Sequence, residues 1–338
     1  MAHVPAVAQL VARTNDLFVE AKALYPLLGP NPIALIDVSF ILVTIGQVSL
    51  VLLLGTLLFS SNVRGRNLTL LNLLAITIFV SIPPALLYYG GQILNPTPPF
   101  GLCLAQAIFN HGANAMFITA SFSLIIELLI VTRLLDIRIR QSVRTVILLA
   151  LPYVVFLFFA VWAGILGYHN PSIVEHQKNQ LYCTISYVAF CRGIDIFNAV
   201  TVVFTIGLEI FTHIRYRQIW RNIGYGRSEE NGFSTALVIR LISFTSLQLF
   251  YICLLALDFF VGSAVTHIIP IAYEALMPLA TFLIFGTTKD CLEAWKMWRR
   301  KDQPTTIGNI TEDPETQKAA HADCVIKPRN RREVMSII

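Results

Sequence analysis

Charge is what this chain has least of. Only 13% of its 338 residues are Asp, Glu, Lys or Arg, about half the share of an ordinary soluble protein. With 55% hydrophobic residues and a mean hydropathy of +0.66, so few charges cannot wet the outside of one or two soluble domains. That shortage excludes a soluble enzyme, a disordered chain and a nucleic-acid-binding domain, and leaves an integral membrane protein. The first 34 residues do not have the pattern expected of a secretory leader. Arg13, Asp16, Glu20 and Lys22 interrupt every apolar stretch there, so the first membrane span is expected to direct insertion itself. Six cysteines in a chain of this length do not make a disulfide framework.

What is abundant is uninterrupted apolar sequence. A helix needs about 20 apolar residues to cross the hydrocarbon core. Seven stretches qualify: Leu35–Phe59, Leu68–Leu94, Cys103–Leu135, Val143–Gly167, Arg192–Arg215, Thr235–Phe260 and Val265–Gly286. They are apolar nearly all round, unlike helices that show one face to water. The expected fold class is therefore all-α, a seven-transmembrane helix bundle. Its divisions are an N-terminal segment 1–34, the bundle 35–286, a juxtamembrane helix 287–301 and a disordered tail 302–338.

Basic residues set the orientation. Arg64, Arg66, Arg138, Arg140, Arg144, Arg217, Arg221, Arg227 and the group Lys289–Lys301 fall on one side. Arg13, Lys22, Lys178 and Arg192 alone fall on the other. The first side is expected in the cytoplasm, which places the N-terminus outside and the C-terminus inside. The sequons at Asn67 and Asn309 then lie on the cytoplasmic side and are discounted.

Cys103 opens the third span on its outer side, and Cys183 lies in the outer loop before the fifth. An oxidising compartment allows a bond between them; Cys191 competes as the partner, and two free thiols are the alternative. Cys253 reads as a small apolar residue.

Seven spans, an outer N-terminus and a bond from the third span to the second outer loop resemble a G-protein-coupled receptor. The second span, Asn67-Leu68-Thr69-Leu70-Leu71-Asn72-Leu73-Leu74-Ala75-Ile76-Thr77, resembles its counterpart in the rhodopsin-like family, with Thr77 where the family keeps a sodium-binding Asp. In the third span the family's acid–arginine pair falls on Glu127 and Leu128, so the acid is present and the arginine is replaced; Arg133 lies further along. The sixth span lacks the family's proline. The seventh keeps one in Met277-Pro278-Leu279-Ala280-Thr281, without the flanking Asn and Tyr. The closing Phe282-Leu283-Ile284-Phe285-Gly286-Thr287-Thr288-Lys289-Asp290 resembles fungal receptors, the lipopeptide-pheromone type included, as do His111-Gly112-Ala113-Asn114 and Arg64-Gly65-Arg66-Asn67, more weakly. Beyond it, Cys291, Leu292, Trp295 and Trp298 form one face of an amphipathic helix against Lys289, Lys296, Arg299 and Arg300, suited to the inner leaflet.

The resemblance implies a plasma-membrane receptor that passes an extracellular signal to a heterotrimeric G protein. Its ligand site is expected in the outer half, among Tyr88, Tyr89, Asn110, His111, Asn114, Asp195, Asp258, His267, Tyr273 and Glu274. Its G-protein face is expected around Arg133, Arg138, Arg140, Arg215, Arg217, Arg221 and Arg240. Thr77, Glu127, Arg133 and Pro278 are the expected switch residues. No cofactor, metal, enzymatic activity or nucleic-acid partner is expected: the last span has no lysine for a retinal Schiff base, and no two histidines stand four apart as zinc ligands on one helix would. A secondary transporter is the competing reading. Pro83-Pro84 and Pro278 interrupt two spans, but no internal symmetry accompanies them.

Overall fold

The computed structural model describes residues 19–28, 31–59, 68–131, 140–176, 181–223, 240, 242–250, 253 and 264–287. The chain divides into Met1–Trp295 and Lys296–Ile338. The second unit, with the tail 302–338, lies outside the described residues, as does the juxtamembrane helix 287–301 beyond Thr287.

The main helices are α1 (Pro32–Phe59), α2 (Leu68–Val80), α3 (Phe100–Val131), α4 (Gln141–His169), α5 (Val188–Ile223), α6 (described over 242–250) and α7 (Ala264–Gly286). Among the described residues, five helices are long and apolar enough to cross a membrane. α1 starts at Pro32, three residues before the expected Leu35. A first-turn proline fits because its missing N–H would have no partner there anyway. The second span does not run unbroken to Leu94. α2 stops at Val80, Pro83–Ala85 form a 3-10 turn, and Leu86–Tyr89 add one further helical turn. Two consecutive prolines remove two backbone donors and break the ladder. α4 carries Pro152 in its interior, within a run apolar enough to stay helical.

Between α4 and α5 the helical framework is interrupted by a short hairpin. Strands β1 (Val174–Glu175) and β2 (Thr184–Ile185) pair antiparallel, with Val174 opposite Ile185 and Glu175 opposite Thr184. Two-residue strands leave no periodic signature, and this pair is held by what it packs against.

α3 is the central helix. In its most apolar window 72% of the residues are buried, against 22% in α1, 28% in α4 and 17% in α5. Small residues let its neighbours approach. Ala107, Ala113 and Ala115 are fully buried, and a Cβ on Gly112 would lie 2.8 Å from the Phe156 ring of α4. The largest core cluster joins Leu50 and Leu53 of α1, Leu73, Leu74 and Ile76 of α2, Leu124, Ile125 and Leu129 of α3, Phe244 of α6 and Phe285 of α7. Phe244 meets Phe117 edge-on at 5.9 Å and Phe285 at 5.6 Å.

The outer faces of the helices are apolar. Ile41, Ile45, Val48, Val51 and Leu52 line one side of α1, and Val146, Val154, Leu157, Phe158 and Val161 one side of α4, all exposed. Hydroxyl groups tell the same story from the polar side. Ser39, Thr56, Thr77, Thr119, Ser123, Thr205 and Thr281 each donate to the carbonyl one turn earlier in their own helix. That bond satisfies a hydroxyl where water is absent.

Candidate functional site

The two ends of the bundle carry different polar groups. At one end Cys103, near the start of α3, is bonded to Cys183 beside β2. The partner is thus Cys183; the Cys191 thiol donates instead to the Ile185 carbonyl at 3.1 Å. One turn after Cys103, Gln106 is fully buried and fixes the hairpin's seat. Its Oε1 accepts the Cys183 N–H at 2.8 Å, and its Nε2 donates to the Pro83 carbonyl at 2.8 Å. The proline break in the second span thus supplies an open carbonyl, and α3 supplies the donor for it.

Next along α3, His111 Nε2 lies 3.2 Å from the Thr184 hydroxyl and 3.4 Å from the Ile185 N–H. A backbone N–H can only donate, so Nε2 is an acceptor and the ring proton sits on Nδ1. Asn110 bonds the Tyr182 phenol, and the Glu274 carboxylate of α7 lies close enough to act on that phenol electrostatically. Glu274 and burial together hold Tyr182 well above the ordinary tyrosine range, against the opposing pull of the Asn110 bond. α3, the hairpin and α7 therefore converge on Asn110, His111, Tyr182, Thr184 and Glu274.

Of the expected ligand residues, Asn110, His111 and Glu274 belong to this cluster. Tyr88 belongs to a separate contact, donating to Asp37 Oδ1 at 3.3 Å and stacking on Phe40 at 4.0 Å. The Tyr273 hydroxyl donates to the Leu247 carbonyl of α6. Tyr89, Asn114 and Asp195 are exposed. Asp258 lies outside the described residues, as does the side chain of His267. Gln106, Tyr182 and Thr184 were not singled out from the sequence. Their only signals are local: Gln106 stands one turn from Cys103, and Tyr182 and Thr184 flank Cys183.

At the opposite end Glu127 pairs with Arg144 of α4 at 3.4 Å. Both side chains are largely buried, and among the described residues Glu127 Oε2 and Arg144 Nε have no hydrogen-bond partner. The partner is thus a residue of the next helix, which the sequence did not single out for this contact. Arg133 and Arg138 lie outside the described residues, as do the side chains of Arg217 and Arg221. Arg140 is exposed just before α4, Arg215 lies over the Phe211 ring at 5.5 Å, and Arg240 donates to the Thr287 carbonyl at 3.0 Å, closing the end of α7. Between the two ends, the Thr77 hydroxyl is spent on Leu73. Gly46 of α1 fits against Pro278, where an added Cβ would come within 2.7 Å of Pro278 Cβ and Leu279 N.

The cluster at the disulfide end offers hydrogen-bond donors, acceptors and one carboxylate, the equipment of a binding site. Among the described residues no three His, Cys, Asp or Glu side chains group as metal ligands would. No family model and no curated protein matches the chain.

Proposed function

We propose that the chain is a seven-pass G-protein-coupled receptor of the fungal type, set in the plasma membrane. Its disulfide end faces outside, and it transmits an extracellular ligand to a heterotrimeric G protein. The observation that carries the reading is the convergence of α3, α7 and a disulfide-held hairpin on one polar cluster, at the end away from Arg140, Arg144, Arg215 and Arg240. A disulfide persists in an oxidising compartment, and basic loops stay in the cytoplasm; both criteria give the same orientation. In this reading a ligand held by Tyr182, Asn110, His111 and Glu274 favours one arrangement of α3 against α7. The G protein favours the same arrangement, so each raises the other's affinity. The Glu127–Arg144 pair is the contact at the inner end that the rearrangement would exchange, because each partner leaves one buried atom unmatched.

Vesicles holding the purified chain together with a fungal heterotrimeric G protein test this. Guanine-nucleotide exchange should exceed that of receptor-free vesicles, Arg144→Met should raise it further, and the vesicles should stay tight to ions and small solutes. Solute flux without exchange would return the chain to the transporter reading.

A further inference from the structure

Ahead of α1 the chain makes a helical turn over 19–24 and the 3-10 turn Pro26–Leu28. Ala21, Leu24, Tyr25 and Leu28 recur at the spacing of one helical face. All four are buried, Ala21 and Tyr25 completely, while Glu20 and Lys22 between them are exposed. Turns this short do not hold their shape alone, so the segment is kept in place by what its apolar face touches. Leu24, Tyr25 and Leu28 pack in one cluster with Ile36 and Phe40 of α1, Ile93 of the 90–99 loop, and Leu181 and Cys183 of the hairpin. The Tyr25 phenol donates to the Ile93 carbonyl at 2.7 Å. Two of these contacts bear on the polar cluster. Leu181 and Cys183 flank Tyr182 in the chain, and Ile271 of α7, which packs against the same apolar cluster, stands one turn before Glu274. The segment therefore bridges the hairpin and α7 on the outer side of the groups they present. Those groups are less covered than the segment itself: His111, Tyr182, Thr184 and Glu274 are half-buried.

We propose that segment 19–28 is a lid over the polar cluster. Docked, it closes the way from bulk water to Asn110, His111, Tyr182 and Glu274; released, it admits a water-borne ligand to them. A short segment held by one apolar face opens at lower cost than the long helices beneath it, so the lid can move while the bundle stays closed. Its exposed side, with Glu20 and Lys22, suits it to water in the open state as well. The inference rests on the cluster being a binding site, and not on what the chain signals to. Access of water to the cluster is read without ligand or G protein, so its failure and that of the nucleotide-exchange assay are separate results.

Hydroxyl-radical footprinting of the full chain in lipid nanodiscs, read by mass spectrometry, tests it. A protease site placed between Leu28 and Pro32 lets the segment be detached after the chain has folded. Cutting should raise the oxidation of His111 and Tyr182 about threefold, the gain expected when half-buried groups become fully exposed by a local opening. Met116, buried in central α3, should stay as protected as before, and Tyr168, exposed at the end of α4, as reactive as before. Tyr25→Ala in the uncut chain, which removes the buried ring and its bond to Ile93, should change His111 and Tyr182 in the same direction by a smaller factor. Oxidation of His111 and Tyr182 that neither cutting nor Tyr25→Ala alters overturns the proposal. So does a rise that Met116 shares, because the segment would then hold the whole bundle together and not cover one site.

Discussion

At the disulfide end Gln106 uses both its amide oxygen and its amide nitrogen across element boundaries. At the opposite end Glu127 and Arg144 share one 3.4 Å contact and leave Oε2 and Nε unmatched. A buried polar atom without a partner costs about 1–3 kcal/mol. The first end is therefore cross-linked and fully bonded at its seat, and the second is held by a contact with free energy to gain from rearranging. Rigidity is concentrated where the polar cluster sits, and release is possible where the charges sit. In the receptor reading proposed above, that asymmetry would let a signal pass from one end to the other.

The sharpest way to break the comparison is to remove the covalent link. Cys103→Ala opens a loop of sequence separation 80, for which the chain-entropy relation gives about 4–5 kcal/mol. Its thermal midpoint in detergent should drop by roughly 10 °C, and a normal midpoint would show that packing alone seats the hairpin. At the other end, Glu127→Gln strands the Arg144 charge and should cost about 3 kcal/mol. The double change Glu127→Leu with Arg144→Met should recover most of it, because no charge is then left alone; a loss equal to the sum of the singles would contradict that account. Gln106→Leu leaves the Cys183 N–H and the Pro83 carbonyl without their partner and should cost about 2 kcal/mol, read as faster hydrogen exchange at Cys183. Gly46→Ala should cost a further 1–2 kcal/mol or so by forcing α1 away from Pro278.

The smallest effect is a matter of pH. Burial raises the Tyr25 phenol, and Glu274 with burial raises that of Tyr182. The folded chain therefore resists ionising them, whereas the unfolded chain ionises tyrosine near pH ~10. Their contribution is intact below that pH and is lost as pH climbs past it. Tyr182→Phe should flatten the alkaline arm of the stability–pH profile and change the stability at neutral pH by less than about 1 kcal/mol.

Much of the helical framework was legible because its cause is local. Runs such as Val48–Leu54 are long and apolar enough to read as helix from sequence alone, and Pro32 marks a boundary through the donor it lacks. Boundaries set by packing were less legible: α5 starts at Val188, four residues before Arg192, and the second span breaks before its apolar run ends. In the site, Asn110, His111 and Glu274 stood out as polar residues in apolar sequence. Tyr182 did not, because a tyrosine in a polar loop carries no such contrast. Arg144 read as one more basic flank until α4 brought it to Glu127.

Composition and hydrophobic run length alone determined that this chain is built from long apolar helices, since 13% charge leaves too little polar surface for water. They also marked the five described helices that are long and apolar enough to cross a membrane, because a run of about 20 apolar residues needs no partner to specify it. The tertiary structure alone decided which cysteine Cys103 takes, which arginine faces Glu127, and that Tyr25, Asn95 and His176 meet. Each of these depends on distances between residues far apart in the chain, and those are fixed only when small residues on α3 let the surrounding helices close around it.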